Sequence, residues 1–118
     1  MIKLEEILMG RDKEYPLCNA SEINLKKLHE ALNKFRRIYG KPMMVTSGYR
    51  PHKYNKAAGG AKKSNHTICL ACDFADADGD LDAFCVANLE ILEHCGLYLE
   101  HPKWTKGWCH LQLSLIHI

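Results

Sequence analysis

No stretch of this chain approaches the roughly 18 consecutive apolar residues that a membrane span requires, so insertion into a bilayer is not expected. The opening MIKLEEILMGRDKEY places acids among its apolar positions and lacks the uncharged core of a secretory signal, which leads us to expect cytoplasmic synthesis. An excess of one charge is missing as well. Lys and Arg number 16 against 14 Asp and Glu, and the formal net charge of +2 is carried by scattered residues rather than a basic stripe. Nucleic acid is therefore a poor candidate partner. There is no internal repeat and no linker. Cys69-x-x-Cys72 looks like half a zinc knuckle, but no second C-x-x-C or H-x-x-x-H pair completes a cysteine-zinc site.

What remains fits one compact domain. The chain has 118 residues, 47% of them hydrophobic and 25% charged, an ordinary globular balance. Its six cysteines (18, 69, 72, 85, 95 and 109) are many for this length. Without an export signal they read as small buried hydrophobes rather than as disulfides.

Periodicity outlines an α+β fold in which a small antiparallel sheet packs against two main helices. Residues 2–9 suit a short amphipathic helix. The clearest helix follows, capped by Asn19 or Ser21, with Leu25, Leu28, Leu32, Phe35 and Ile38 on one face and Gly40 and Pro42 ending it. Residues 43–46 suit a short buried strand. From Tyr49 to Asn65 the text is irregular and polar, a long ordered loop of the kind that often carries function. Residues 67–74 (TICLACDF) read as a strand ending in a carboxylate. The run Asp76, Asp78, Asp80 lacks the length and the distal Glu of a calcium loop, so turn and cap chemistry is expected, with Asp80 starting a helix that reaches Gly96. Residues 107–113 alternate with a two-residue period, which sets Trp108, His110 and Gln112 on one face of a last strand. The final LSLIHI (113–118) matches one frame of a common sequencing adapter. We therefore expect the native domain to span 1–112 and 113–118 to be a non-native tail, with an ordinary strand end as the alternative.

Among the seven histidines, His66 stands out because it lies in Ser64-x-His66-x6-Asp73. If the chain turns after His66 and returns as a strand, imidazole and carboxylate can reach one ion. His110, from a distant strand, would complete a set of two His and one carboxylate. Such a set leaves the fourth position of a tetrahedral zinc open to water, which separates catalytic sites from structural ones. Spacing alone leaves the assignment open.

Several motifs in order make it more specific: SGYRP (47–51), Tyr54-Asn55, Gly59-Gly60-Ala61, S-x-H-x6-D (64–73) and W-x-H (108–110). Together they resemble the LAS-type zinc D-alanyl-D-alanine carboxypeptidase family, which takes in phage endolysin peptidases and bacterial dipeptidases and shares the Hedgehog/DD-peptidase fold. The resemblance runs from about Leu25 to Gln112. It implies zinc held by His66, Asp73 and His110. It also implies Arg50 as the group that stabilises the developing oxyanion and binds substrate, and Ser64 as a hydrogen-bonding partner of the substrate peptide. Read on their own, Arg50 could instead hold the loop by a salt bridge, and Ser64 could stabilise a turn. The expected substrate is a peptidoglycan stem peptide, met by a monomer. If phage-encoded, the protein would act at the cell wall after release.

One departure bears on catalysis. Many members place a Glu, Asp or His three to five residues before the last ligand as general base, and here those positions are Gly107, Lys106 and Thr105. The nearest substitutes are Glu100 and His101, of which Glu100 is the choice. Two other functions stay open: a catalytically weak or inactive wall-binding or virion protein that keeps the zinc, and a structural zinc domain built on Cys69 and Cys72.

Overall fold

The computed structural model describes residues 1–57 and 64–114. The motif residues Gly59, Gly60 and Ala61, and the tail residues 115–118, lie outside the described residues. In chain order the elements are α1 (Leu4–Leu8), α2 (Asn19–Tyr39), β1 (Val45–Ser47), α3 (His52–Ala57), a short 3-10 helix (Asn65–Ile68), β2 (Ala71–Ala75), α4 (Asp80–Ala87), α5 (Leu89–Cys95), β3 (Leu97–Leu99), a second 3-10 turn (Pro102–Trp104) and β4 (Trp108–Leu113). The strands form one antiparallel sheet in the order β1-β2-β4-β3. The α+β class with a small antiparallel sheet is as expected. No described helix is long and apolar enough to cross a membrane.

The stripe of α2 does what its spacing dictates. Leu25, Leu28, Leu32 and Phe35 are buried, while Ile38, one turn beyond, is exposed. Gly40 closes the helix in the left-handed region at φ 77, donating its N–H to the Arg36 carbonyl. The residue at the N-terminal cap is Cys18, not Asn19 or Ser21; Ser21 is buried in the first turn. The N-terminal segment is tied down by an amide: Asn33 Oδ1 accepts from the Ile2 N–H at 2.8 Å and its Nδ2 donates to the Ile2 carbonyl at 2.9 Å. That reciprocal pair satisfies backbone groups that a buried chain end would otherwise leave unpaired.

Alternation gives the sheet two chemically different faces. Cys72 lies opposite Leu111 and Phe74 opposite Cys109, and all four are fully buried in the hydrophobic core. The intervening residues, Ala71, Asp73 and Ala75 opposite Gln112, His110 and Trp108, point the other way. The six cysteines are all free, five of them buried. Burial pushes the Cys69 thiol up to about 12 and raises Cys72 as well, so both behave as inert hydrophobes.

Elsewhere the structure departs from the pattern reading. Residues 65–68 wind into a 3-10 helix and Cys69 turns left-handed at φ 60, so β2 begins only at Ala71. The expected helix from Asp80 to Gly96 is broken at Asn88, whose side-chain amide donates to the Phe84 carbonyl and leaves Leu89 exposed. The N-cap residue of α4 is Gly79, not Asp80, and the first turn is satisfied by the side chain of Asp76. Its two carboxylate oxygens accept from the N–H groups of Leu81 (2.9 Å) and Asp82 (2.8 Å), and Asp78 accepts from Asp80 N–H. The acidic run is thus turn and cap chemistry. The stretch read as irregular includes α3, and β3 was not foreseen at all. β4 runs on to Leu113, which is buried and donates its N–H to the Leu70 carbonyl.

One close approach ties α1 to the sheet. Tyr49 N–H donates to the Ile7 carbonyl at 2.7 Å, and a Cβ built on Gly48 would collide with that same carbonyl. Because the obstacle is backbone, it cannot rotate away. Gly48→Ala should therefore destabilise the protein by about 1–3 kcal/mol and lower the thermal midpoint by several degrees. An unchanged melting curve would show that α1 yields freely.

Candidate metal centre

His66 is oriented from both ends of its short helix. Ser64 caps the turn, its Oγ accepting from His66 N–H at 3.2 Å, while Thr67 Oγ1 donates to the Ser64 carbonyl at 2.6 Å. The ring itself is 3% exposed, with Nδ1 2.9 Å from the carbonyl of Gly48. A carbonyl can only accept, so Nδ1 carries the proton and Nε2 is left as a bare lone pair. That lone pair faces Asp73 Oδ2 at 3.2 Å.

Asp73 and His110 come from β2 and β4, directly opposite one another in the ladder. His110 Nδ1 lies 2.8 Å from Asp73 Oδ1, and the two imidazole rings meet edge to face with centroids 5.2 Å apart. The ligand atoms of His66, Asp73 and His110 all fall within 4.8 Å of one another, and all three residues are buried. Acceptors of this kind converging in a buried place are reconciled only by a positive charge among them, a proton or a cation. Two imidazoles and one carboxylate suit a zinc-like ion. This is the only such grouping among the described residues. Cys69 and Cys72 take no part in it, so a cysteine-zinc domain finds no support.

The remaining candidates lie around this centre. Glu100 ends the turn after β3. Its backbone N–H donates to the His110 carbonyl at 3.2 Å, and its Oε2 stands 3.7 Å from His110 Nδ1 with the side chain 43% exposed. His101 turns elsewhere, its Nδ1 accepting from Lys103 N–H to cap the next turn. Thr105, Lys106 and Gly107 lie in the turn before β4, and none joins the ligand cluster. Arg50 donates its backbone N–H to the His66 carbonyl at 3.0 Å and reaches Ser64 Oγ with Nη2 at 3.5 Å. Its Nε is buried with no hydrogen-bond partner, and among the described residues it pairs with no carboxylate. The loop-holding salt bridge is thus not seen. Ser64 does stabilise its turn, and in the same place it touches Arg50.

Gly48 lies within SGYRP, and its carbonyl sets the His66 ring. Nothing in a one-dimensional pattern shows which backbone oxygen meets a ring.

The electrostatics follow from this crowding. Burial alone would raise the Asp73 carboxyl, but its contacts with His110 and His66, which attract it when those rings are protonated, outweigh burial and hold the group below its ordinary 3.8. Burial alone would lower His110, but its hydrogen bonds to Asp73 and Gln112 and the charges of Asp73 and Glu100 lift it above 6.5. A depressed carboxyl stabilises the fold above its unfolded value and loses that contribution as pH falls through the folded one. A raised imidazole stabilises below its unfolded value and loses that contribution as pH rises through the folded one. In chelator-treated protein the pair should contribute fully between pH 3.8 and 6.5 and fade on both sides. Urea unfolding of wild type and Asp73→Asn across pH 3 to 9 reads this as a stability difference that peaks in that window. A difference independent of pH would refute the pairing.

The sequence pattern of the family described as Peptidase M15 matches residues 2–110, a span that holds every residue of the centre together with Arg50, Ser64 and Glu100. No curated protein matches the chain. Among solved structures, the fold is similar to that of the L-Ala D-Glu endopeptidase ChiX of Serratia marcescens. The TM-score is 0.55 and the identity 22%, over 84% of this chain and 90% of that one. At that identity the likeness speaks for the fold. The family match speaks for more, and on its extent the chain belongs to the peptidase M15 family.

Proposed function

We propose that this protein is a zinc metallopeptidase that hydrolyses peptide bonds of peptidoglycan stem peptides, as a D-Ala-D-Ala carboxypeptidase or an endolysin-type endopeptidase. The observation that carries the reading is the convergence of the His66, Asp73 and His110 ligand atoms within 4.8 Å, beside a buried guanidinium nitrogen without a partner. Membership of a peptidase family supports it. Zinc bound by these residues supplies Lewis acidity and brings the ionisation of water near neutral pH.

The protein's own groups then have distinct tasks. Glu100, at the rim and partly open to solvent, takes a proton from the attacking water and returns it to the leaving amine. Arg50 offers its guanidinium to the substrate oxygen that gains charge as water adds. A planar, permanently charged donor suits that role, and the backbone bond to His66 holds it in register with the centre. Ser64, between Arg50 and His66, hydrogen-bonds the substrate peptide. The structural likeness to an L-Ala D-Glu endopeptidase makes that bond the first to assay, with D-Ala-D-Ala second.

One observation favours a second reading, a weak or inactive wall-binding or virion protein. Glu100 is 43% exposed and, among the described residues, makes no side-chain hydrogen bond that would hold it as a base. Release of soluble peptides from purified peptidoglycan by zinc-loaded protein separates the two. Wild type should turn over, Glu100→Gln should fall about 10²–10⁴-fold with zinc retained, and Arg50→Ala should fall about 10²–10³-fold. His66→Ala should lose the metal, whereas Cys69→Ser and Cys72→Ser should keep it. A zinc-loaded wild type that binds the wall without turnover would establish the second reading, and an undiminished Glu100→Gln would remove Glu100 as the base.

A further inference from the structure

The nitrogen by which His110 faces the centre is selected by a contact on the ring's far side. Two residues further along β4, on the same face, Gln112 places its Oε1 2.9 Å from His110 Nε2. The same oxygen accepts from Asn65 Nδ2 at 3.1 Å, and Asn65 immediately precedes His66. Gln112 is held on both flanks, pairing with Ala71 of β2 and Tyr98 of β3, so its backbone cannot drift.

A side-chain amide has one end that accepts and one that donates. With Asn65 donating to Oε1, the accepting end of Gln112 is the one turned to the ring, and His110 Nε2 must then carry a hydrogen. Nδ1 faces Asp73 at 2.8 Å, to which it donates while the ring is protonated, and Glu100 at 3.7 Å; it is the nitrogen left bare once the ring is neutral. Were the amide turned around, its NH2 would need Nε2 as an acceptor, and the proton would move to Nδ1, where a metal must bind. His66 has the opposite arrangement, its Nδ1–H held by the Gly48 carbonyl and its Nε2 bare.

We propose that Gln112, clamped by Asn65, is a positioning residue that holds His110 in its Nε2–H form and so presents Nδ1 to the metal. This rests on the zinc reading above and adds to it the groups that orient the second histidine. It also makes Asn65 a link between the two ligand-bearing segments, since it lies next to His66 in the chain and one hydrogen bond from His110's own partner. Outer partners of this kind orient ring ligands and raise their basicity.

The test is a competition titration of metal-free protein with zinc against a chromophoric chelator. It is paired with proton-detected ¹⁵N spectra of histidine-labelled, zinc-loaded protein. Gln112→Leu should weaken zinc binding about 10–100-fold and lose the exchange-protected Nε2–H signal of His110. Gln112→Glu, which keeps an accepting oxygen, should retain both, and Asn65→Ala should give a smaller loss of affinity. Wild-type affinity in a folded Gln112→Leu overturns the inference. So does equal loss in Gln112→Leu and Gln112→Glu, which would mean that the residue only packs. Should Gln112→Leu fail to fold, the Gln112→Glu and Asn65→Ala pair decides: retention in the first with a loss in the second supports the inference, and any other outcome overturns it. A wild type that takes up no zinc overturns the metal centre itself, a failure visible in the first titration.

Discussion

Everything at the centre depends on Asp73 standing opposite His110 across β2 and β4. Side chains alternate along a strand, so a slip of one residue by either strand would turn its own group into the apolar core and bring Cys72 or Cys109 out in its place. The apolar pairs on the other face, Cys72 with Leu111 and Phe74 with Cys109, resist the slip because each is fully buried. The hydrophobic face and the chemical face thus specify the same register. Two imidazoles and a carboxylate can be buried together only because that register is so firmly held.

The metal-free arrangement carries a cost inherent in its purpose. Groups suited to a dipositive ion are poorly suited to one another without it, and here a proton shared with His110 relieves part of the conflict. The zinc reading and the acid–base behaviour of the apo-protein are two views of the same crowding. Stored polarity of this kind belongs to sites rather than to cores.

How much of this could be read from residues alone depended on the kind of signal. The α2 stripe was legible because four buried residues repeat with the helical period from Leu25 to Phe35, longer than any local accident. The gathering of His66, Asp73 and His110 in one place was legible in part: His66 and Asp73 sit in a spaced motif, while His110 was tied to them by the family resemblance rather than by local pattern. The break at Asn88, the left-handed turn at Cys69 and the cap from Asp76 were hidden. Each is decided by one side chain or one backbone angle competing against a pattern that still holds around it. The short β3, Leu97–Leu99, carries too few residues for alternation to show, and only its pairing to β4 defines it. The position of Glu100 was harder still, since its place beside His110 comes from that short strand and not from distance along the chain.

The crowded junction at Gly48 gives α1 an unexpected standing. The N–H that follows Gly48 is bonded to the Ile7 carbonyl, and the carbonyl of Gly48 itself holds the His66 ring. No residue of α1 touches the ligands, yet α1 braces the peptide that aims one of them. The backbone at Ile7 is therefore constrained by the candidate centre as much as its buried side chain is by the core. Comparing how α1 sits across the family would read the tolerance of the centre from a place where no chemistry happens.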